Sequence, residues 1–351
     1  MRVLVSPAYA AIFLSTSAIR GTYAAYFNIA NTFQGSDFFT WKWWTLDDPT
    51  HGHVNYIDRD TAVQANLSYA SDDNTKFYMH ADSEEIVSMG ARGRDSIRIE
   101  STTSYDESVL ILDVQHMPEG CTTWPAFWTL SKDGPWPNGG EIDIIEGVNL
   151  NDQNLVSLHT MPGCEMVDPR QHLGHTISLN CDSAVNYNQG CGVAFNQPNS
   201  FGVPFNANGG GWFAMSKTRE DGIKVWFWPR ASQTVPKEVK EVEGHETIST
   251  DQWPKPDTHF PPNSCKHDDH FDAHVMVFDL TFCGDWAGTA YAQSGCGIST
   301  CEDFVDNNPD AFRNAYWEIN SLRAYNLIEE DELYAPQGTD KQAPLSGPDN
   351  H

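Results

Sequence analysis

An all-β protein, a sandwich or a barrel, is what the chain predicts, and three observations predict it. Short apolar or alternating runs recur along most of the sequence, separated by loops rich in Gly, Pro and Asn. Helix-period patterning is scarce, and its best instance is a short turn near residues 302–306. No linker interrupts the middle of the 351 residues, so they read as one sandwich-sized unit rather than two domains.

The N-terminus opens with Arg2 and a mostly apolar run from Val3 to Ile19, followed by small residues at Ala24 and Ala25. This pattern predicts a secretory signal peptide over residues 1–25, and the run is too short and too broken for a membrane span. Residues 26–60 read as loop, with Trp41, Trp43 and Trp44 clustered as core or cover. Strands are then expected at 76–80, 95–101, 108–114 and 126–130. In the second of these, Ile97 and Ile99 alternate with Arg98 and Glu100, the pattern of a half-buried strand. Further strands are expected at 155–160, 212–216, 223–228, 273–281 and 316–326. The Cys-, Asn- and Gly-rich stretch 161–211 reads as a disulfide-stapled loop, and residues 327–351 read as an acidic, disordered tail.

Eight cysteines fit an oxidised, secreted protein with four disulfides, and sequence does not choose among the pairings. Asn66-Leu67-Ser68 is an N-glycosylation acceptor if the chain is secreted. A formal net charge of -27 argues against nucleic acid and anionic membranes as partners, because both need a basic footprint. A neutral polymer suits it, and a monomer is expected.

The stretch that carries chemistry is Trp136-Pro137-Asn138-Gly139-Gly140-Glu141-Ile142-Asp143-Ile144-Ile145-Glu146-Gly147. A Pro/Asn/Gly turn leads into an Ile-rich run that reads as a buried strand. Carboxylates on such a strand are costly to desolvate and need a reason. Glu141 and Asp143 share a face of a regular strand; Glu146 points the other way, to solvent across an edge strand, unless one extra residue intervenes. A β-bulge at Ile144–Ile145, with Ile145 as the unpaired step, returns Glu146 to the face of the other two. Two carboxylates about 5 Å apart then repel by roughly 3 kcal/mol, about two pKa units, so one of them keeps its proton. A protonated acid beside an ionised one is the pair that glycoside hydrolysis needs.

Glu141-Ile-Asp143-Ile-Ile-Glu146 resembles the active-site strand of glycoside hydrolase family 16 in its bulged form. The flanks Thr123-Trp124-Pro125-Ala126-Phe127-Trp128 and Trp136-Pro137-Asn138-Gly139-Gly140 are similar to those of fungal laminarinases, as are Phe205 to Trp212, Phe282 to Gly288 and Ala315 to Ile319. The resemblance covers roughly residues 26–326. It implies a β-sandwich of jelly-roll type with a concave glycan-binding cleft; no cofactor is expected, and no CxxC or His-rich spacing points to zinc. It implies Glu141 as nucleophile, Glu146 as general acid/base, and Asp143 between them tuning the proton. Trp128, Trp136 and Trp286 match cleft-lining positions, and His159 a cleft histidine; Trp124 stands between cleft and core. Asn138 shapes the turn. The chain holds 12 Trp, so most must be structural. The expected activity is endo-hydrolysis of neutral β-1,3 and mixed β-1,3(4)-glucan. A wall-glucan transglycosylase would use the same residues, and a non-catalytic glucan binder would lack at least one acid.

Overall fold

The computed structural model describes residues 24–328. Two antiparallel sheets pack face to face in a jelly-roll β-sandwich. The nine-stranded outer sheet runs Thr247–Ile248, Phe27–Phe33, Tyr316–Leu327, Ser108–His116, Gly211–Thr218, Gly222–Pro229, Thr258–Phe260, with Phe77–His80 and Ser68–Ala70 added beside Tyr316–Leu327. The eight-stranded inner sheet runs His175–Thr176, Cys191–Ala194, Leu155–His159, Glu141–Glu146, Thr123–Ser131, His274–Phe282, Arg98–Tyr105, Lys42–Trp43. The acid strand is therefore central, paired on both edges, and held by neighbours that are themselves held.

Between the sheets the inward side chains interleave. Phe278 is a hub, with its ring 4.4 Å from Phe127 and 5.4 Å from Trp317. Ile142, Ile144 and Ile145 are all fully buried in this core. A second apolar layer lies on the far face of the outer sheet. There Trp212, Trp226 and Trp228 are covered by Val239 and Trp253, which places four of the tryptophans in structural roles.

The predicted strands form, with ends that differ from the expected ones by a few residues, and the run expected at 95–101 divides into Arg94–Ser96 and Arg98–Tyr105. Three expectations are corrected. Phe27–Phe33 is a strand where the chain read as loop: only Phe27 of its residues is fully buried, so the polar Asn and Thr between the apolar positions hide the pattern. The stretch 161–211 is not all loop, since Cys191–Ala194 joins the inner sheet and Gly202–Ala207 is helical. Arg98 and Glu100, read as the solvent face of a half-buried strand, are only 4% and 8% exposed. A second helix, Arg59–Gln64, is started by Asp58, whose carboxylate accepts from the Asp60 and Thr61 N–H groups. The predicted helical turn is Cys301–Asn307, capped by Thr300.

Four disulfides form: Cys121–Cys296, Cys164–Cys265, Cys181–Cys191 and Cys283–Cys301. The last strand runs on to Leu327, and Ile328 N donates to Tyr26 O, so the sheet reaches past the expected boundary at 326. The proposed signal peptide up to residue 23 and the tail from 329 lie outside the described residues.

Candidate active site

The bulge is present, and its register is one residue from the expected one. Along Thr123–Ser131, Asp143 pairs with Trp128 and Ile145 with Phe127, so Ile144 is the unpaired step rather than Ile145. On the other edge Asp143 pairs with Ser157 and Glu146 with Leu155, again one residue too many on the acid strand. Ile144 and Ile145 both turn into the core, and Glu141, Asp143 and Glu146 share the outer face of the inner sheet.

A bulge leaves backbone groups without ladder partners. Here one buried side chain supplies them. The Asn154 amide donates through Nδ2 to Ile144 O at 2.8 Å and accepts from Glu146 N at 3.1 Å. Asn154 is itself fixed by Ser200, whose Oγ accepts from Asn154 N at 2.9 Å. No motif in the sequence marks this residue. Asn154→Leu is expected to cost about 1–3 kcal/mol of stability, as two buried backbone groups lose their partner. It should also lower kcat more than it raises KM, because Glu146 loses its fixed position. Chemical denaturation and steady-state kinetics check both.

On the turn before the strand, Gly139 and Gly140 both hold positive φ, 71° and 78°. A Cβ on Gly140 would come within 2.5 Å of the Phe271 ring, so glycine is required there on both counts. His274 Nε2 donates to Gly139 O at 2.7 Å, with Thr129 Oγ1 donating to Nδ1 at 2.9 Å, which fixes the turn and the imidazole tautomer. The turn in turn carries Trp136.

Two indoles grip the two glutamates. Trp136 Nε1 donates to Glu141 Oε2 at 2.9 Å, and Trp124 Nε1 donates to Glu146 Oε1 at 2.9 Å. His159 Nε2 lies 3.3 Å from Asp143 Oδ2, an ion pair, and Nδ1 is 2.8 Å from Asn188 Oδ1. Burial works against the His159 cation, but Asp143, Glu141 and Glu146 outweigh it and raise its pKa to about 10. The imidazolium is therefore a fixed positive charge among three acids. Glu141, Asp143 and His159 bring ligand-type atoms within 4.8 Å of one another. His159 and Asp143 are already paired with each other, and Glu141 with the Trp136 indole.

Both glutamates are half-buried and flanked by protein. Burial first, then the Asp143 carboxylate, pushes Glu141 up to about 8, against the pull of His159 and Trp136. The same causes, in the same order, hold Glu146 well above its ordinary value. Desolvation is the larger cause of both rises, ahead of the neighbouring acid that the sequence displays. At neutral pH the cluster retains protons that isolated carboxylic acids would have lost.

Of the aromatic residues singled out from sequence, Trp124 and Trp136 touch the glutamates directly. Trp136 is 45% exposed. Trp286 stands on the turn Gly284–Gly288 and meets Trp124 edge-on at 5.7 Å. Trp128 lies beside Asp143, on the same face of the sheet, and the Arg98 guanidinium covers its ring at 4.9 Å. Arg98 also stacks on Trp44 at 4.5 Å and pairs with Glu100 at 3.1 Å. Sequence reasoning missed Arg98, Glu100, Trp44, Asn154 and Asn188. Arg98 and Glu100 were visible as two charges on one strand face, and that alternation pointed to solvent when it marked the cleft floor.

The chain matches the family model described as XgeA-like, catalytic GH16 domain, over residues 41–325. A probable glycosidase of Schizosaccharomyces pombe is 42% identical over 88% of this chain and 72% of that protein. The endo-1,3(4)-beta-glucanase xgeA of Emericella nidulans is 39% identical over 83% of this chain and 46% of its own length. The chain thus spans less than half of that relative. Laminarinase 16A from Phanerochaete chrysosporium, solved with beta-glucans in both donor and acceptor sites, superposes with a TM-score of 0.81 at 46% identity, over 86% of this chain and all of that one (100%). An elongating GH family 16 beta-1,3-glucosyltransferase superposes at 0.77 with 36% identity, over 86% of this chain and 100% of that one. A bulged strand with three acids on one face, in a jelly-roll sandwich matched over most of its length, leaves one assignment: the chain belongs to glycoside hydrolase family 16.

Proposed function

We propose that the protein is a secreted, retaining endo-β-1,3(4)-glucanase that cleaves neutral β-glucan by double displacement. Glu141 attacks the anomeric carbon while Glu146 gives its proton to the departing glycosidic oxygen. Water then attacks the anomeric carbon of the glycosyl-enzyme while Glu146 takes its proton, which breaks the bond to Glu141 and frees the product. Asp143, paired with His159, holds negative charge between the two and keeps the proton on Glu146 until the bond breaks. The observation that carries this reading is the bulge, which turns two glutamates five residues apart onto one face with an indole N–H on each. Four disulfides support an oxidising compartment and hence secretion.

Trp124, Trp136 and Trp286 suit a neutral sugar, whose C–H faces are apolar and whose rim is polar. A formal charge of -27 would repel a sulfated galactan. Proton NMR of the first laminarin product is expected to show the β-anomer, and an initial α-anomer would sink the double displacement. Laminarin should be turned over well ahead of carrageenan; comparable rates would refute the neutral-glucan reading. Lichenan cut much faster than laminarin would keep the mechanism and move the linkage preference.

A second reading is transfer to another glucan, favoured by the similarity to the elongating glucosyltransferase. Sizing the products from one pure laminari-oligosaccharide separates the two: products mainly shorter than the substrate mean hydrolysis, mainly longer ones mean transfer.

A further inference from the structure

The loop that carries Trp136 has little to fix itself with. Residues 133–140 hold three glycines and two prolines. The glycines leave the backbone loose, and the prolines have no N–H to bond with. Its own main-chain bonds are few: Asn138 N to Pro135 O at 2.9 Å, Gly140 N to Pro137 O at 3.1 Å, and Ser131 N to Gly140 O across its base at 3.1 Å. Yet this loop holds one indole N–H at 2.9 Å from Glu141.

The remaining support comes from Asp272, 141 residues after Ser131 in the chain. Asp272 holds both ends of the loop. At the start, Ser131 Oγ donates to Asp272 Oδ2 at 2.8 Å, and accepts from Asp133 N at 3.1 Å and Gly134 N at 3.0 Å. At the end, Asp272 N donates to Gly139 O at 3.3 Å. The fit is close, since a Cβ on Gly139 would collide with the Asp272 carboxylate and with Ser131 Oγ. Asp272 is itself braced from the other sheet. Lys217 stands on Gly211–Thr218, on the core-facing side with Phe213 and Met215, and is 1% exposed. Its Nζ donates to Asp272 O at 2.5 Å and to Tyr105 O at 3.3 Å. Burying an ammonium is costly, and burial pulls the Lys217 pKa down to about 7 against the charges of Asp106 and Asp272. The double displacement uses neither Lys217 nor Asp272, yet the fold keeps this cation between its sheets, bonded to the main chain behind the Trp136 loop.

We propose that Asp272, braced by Lys217, is a positioning residue for the reaction: it sets the loop so that the Trp136 N–H stays on Glu141. This rests on Glu141 being the nucleophile of the double displacement above. A carboxylate held through one oxygen keeps a fixed rotation, and in-line attack on the anomeric carbon depends on that alignment.

The test measures kcat and KM on laminarin, together with the proton–nitrogen correlation spectrum of the indole groups, for the full chain and its variants. The Trp136 indole resonance is identified by its loss in Trp136→Phe. Asp272→Ala is expected to lower kcat about 10- to 100-fold, the scale of a small misplacement of a reacting group, and to change KM less. The Trp136 resonance should move upfield as its bond to Glu141 loosens. Asp272→Asn can still accept from Ser131 and should recover most of the rate. In a Trp136→Phe background the donor is already gone, so adding Asp272→Ala should lower kcat by less than about 3-fold. Ser131→Ala cuts the same link from its other end and replaces Asp272→Ala if that variant does not fold. An unmoved Trp136 resonance, or the same kcat loss with and without Trp136, would overturn the positioning role while leaving the glucanase reading intact. A wild type inactive on laminarin would overturn that reading, and the resonance would still decide whether Asp272 holds the indole in place.

Discussion

Glu141→Gln is expected to abolish turnover of laminarin, with kcat down on the order of 10⁴-fold or more, because the covalent step loses its nucleophile. Folding should survive. Burial and Asp143 already disfavour the Glu141 charge, pushing its pKa up to about 8, so a neutral isostere matches the form the folded site favours and can still accept from Trp136. The melting temperature should therefore hold or rise. A folded variant that kept a tenth of the wild-type kcat would mean that the nucleophile lies elsewhere. Asp143→Asn, by contrast, should cost less, since Asp143 tunes the pair and does not attack.

The second large effect concerns Glu146. Glu146→Gln is expected to lower kcat by about 10²- to 10⁴-fold on laminarin, the span of general acid–base catalysis. The pH profile gives the sharper evidence. Glu146 is held well above its ordinary pKa by burial and by Asp143, so its proton is present at neutral pH and is lost only as pH rises through the shifted value. Catalysis needs that proton, and the rate should fall on the alkaline side. Asp143→Asn removes an anion that raises both glutamates, so the alkaline limb should move to lower pH. The limb belongs to the coupled cluster rather than to Glu146 alone, which is why two variants are needed. A Glu146→Gln enzyme with the wild-type alkaline limb, or an Asp143→Asn enzyme with the limb unmoved, would contradict the assignment.

Both predictions place chemistry on residues that one short stretch of sequence marks. Glu141, Asp143 and Glu146 were legible because acids in an Ile-rich strand are expensive and because period 2 separates the third from the first two unless a bulge intervenes. The sandwich was legible from the alternation of short apolar runs with Gly, Pro and Asn loops. Those are local signals: propensity, period and turn chemistry act within a few residues of one another.

Other features depended on groups distant in the chain. Which residue of the bulge goes unpaired is decided by the register of Thr123–Ser131 on one edge and Leu155–His159 on the other. What stabilises the bulge is Asn154, a residue whose role exists only because folding brings its amide to Ile144 O and Glu146 N. Arg98 and Glu100 read as solvent-facing, since alternation gives the face of a strand without saying whether that face meets water or a cleft. The rise in the glutamate pKa values follows first from desolvation, a property of everything packed around them, and only then from the neighbouring acid that the sequence displays. Sequence alone thus determined the sandwich and the three acids that share one face of its central strand, through interactions of short range. Tertiary structure alone decided their register, their protonation and the residues that hold them, because those depend on burial and on contacts between strands far apart in the chain.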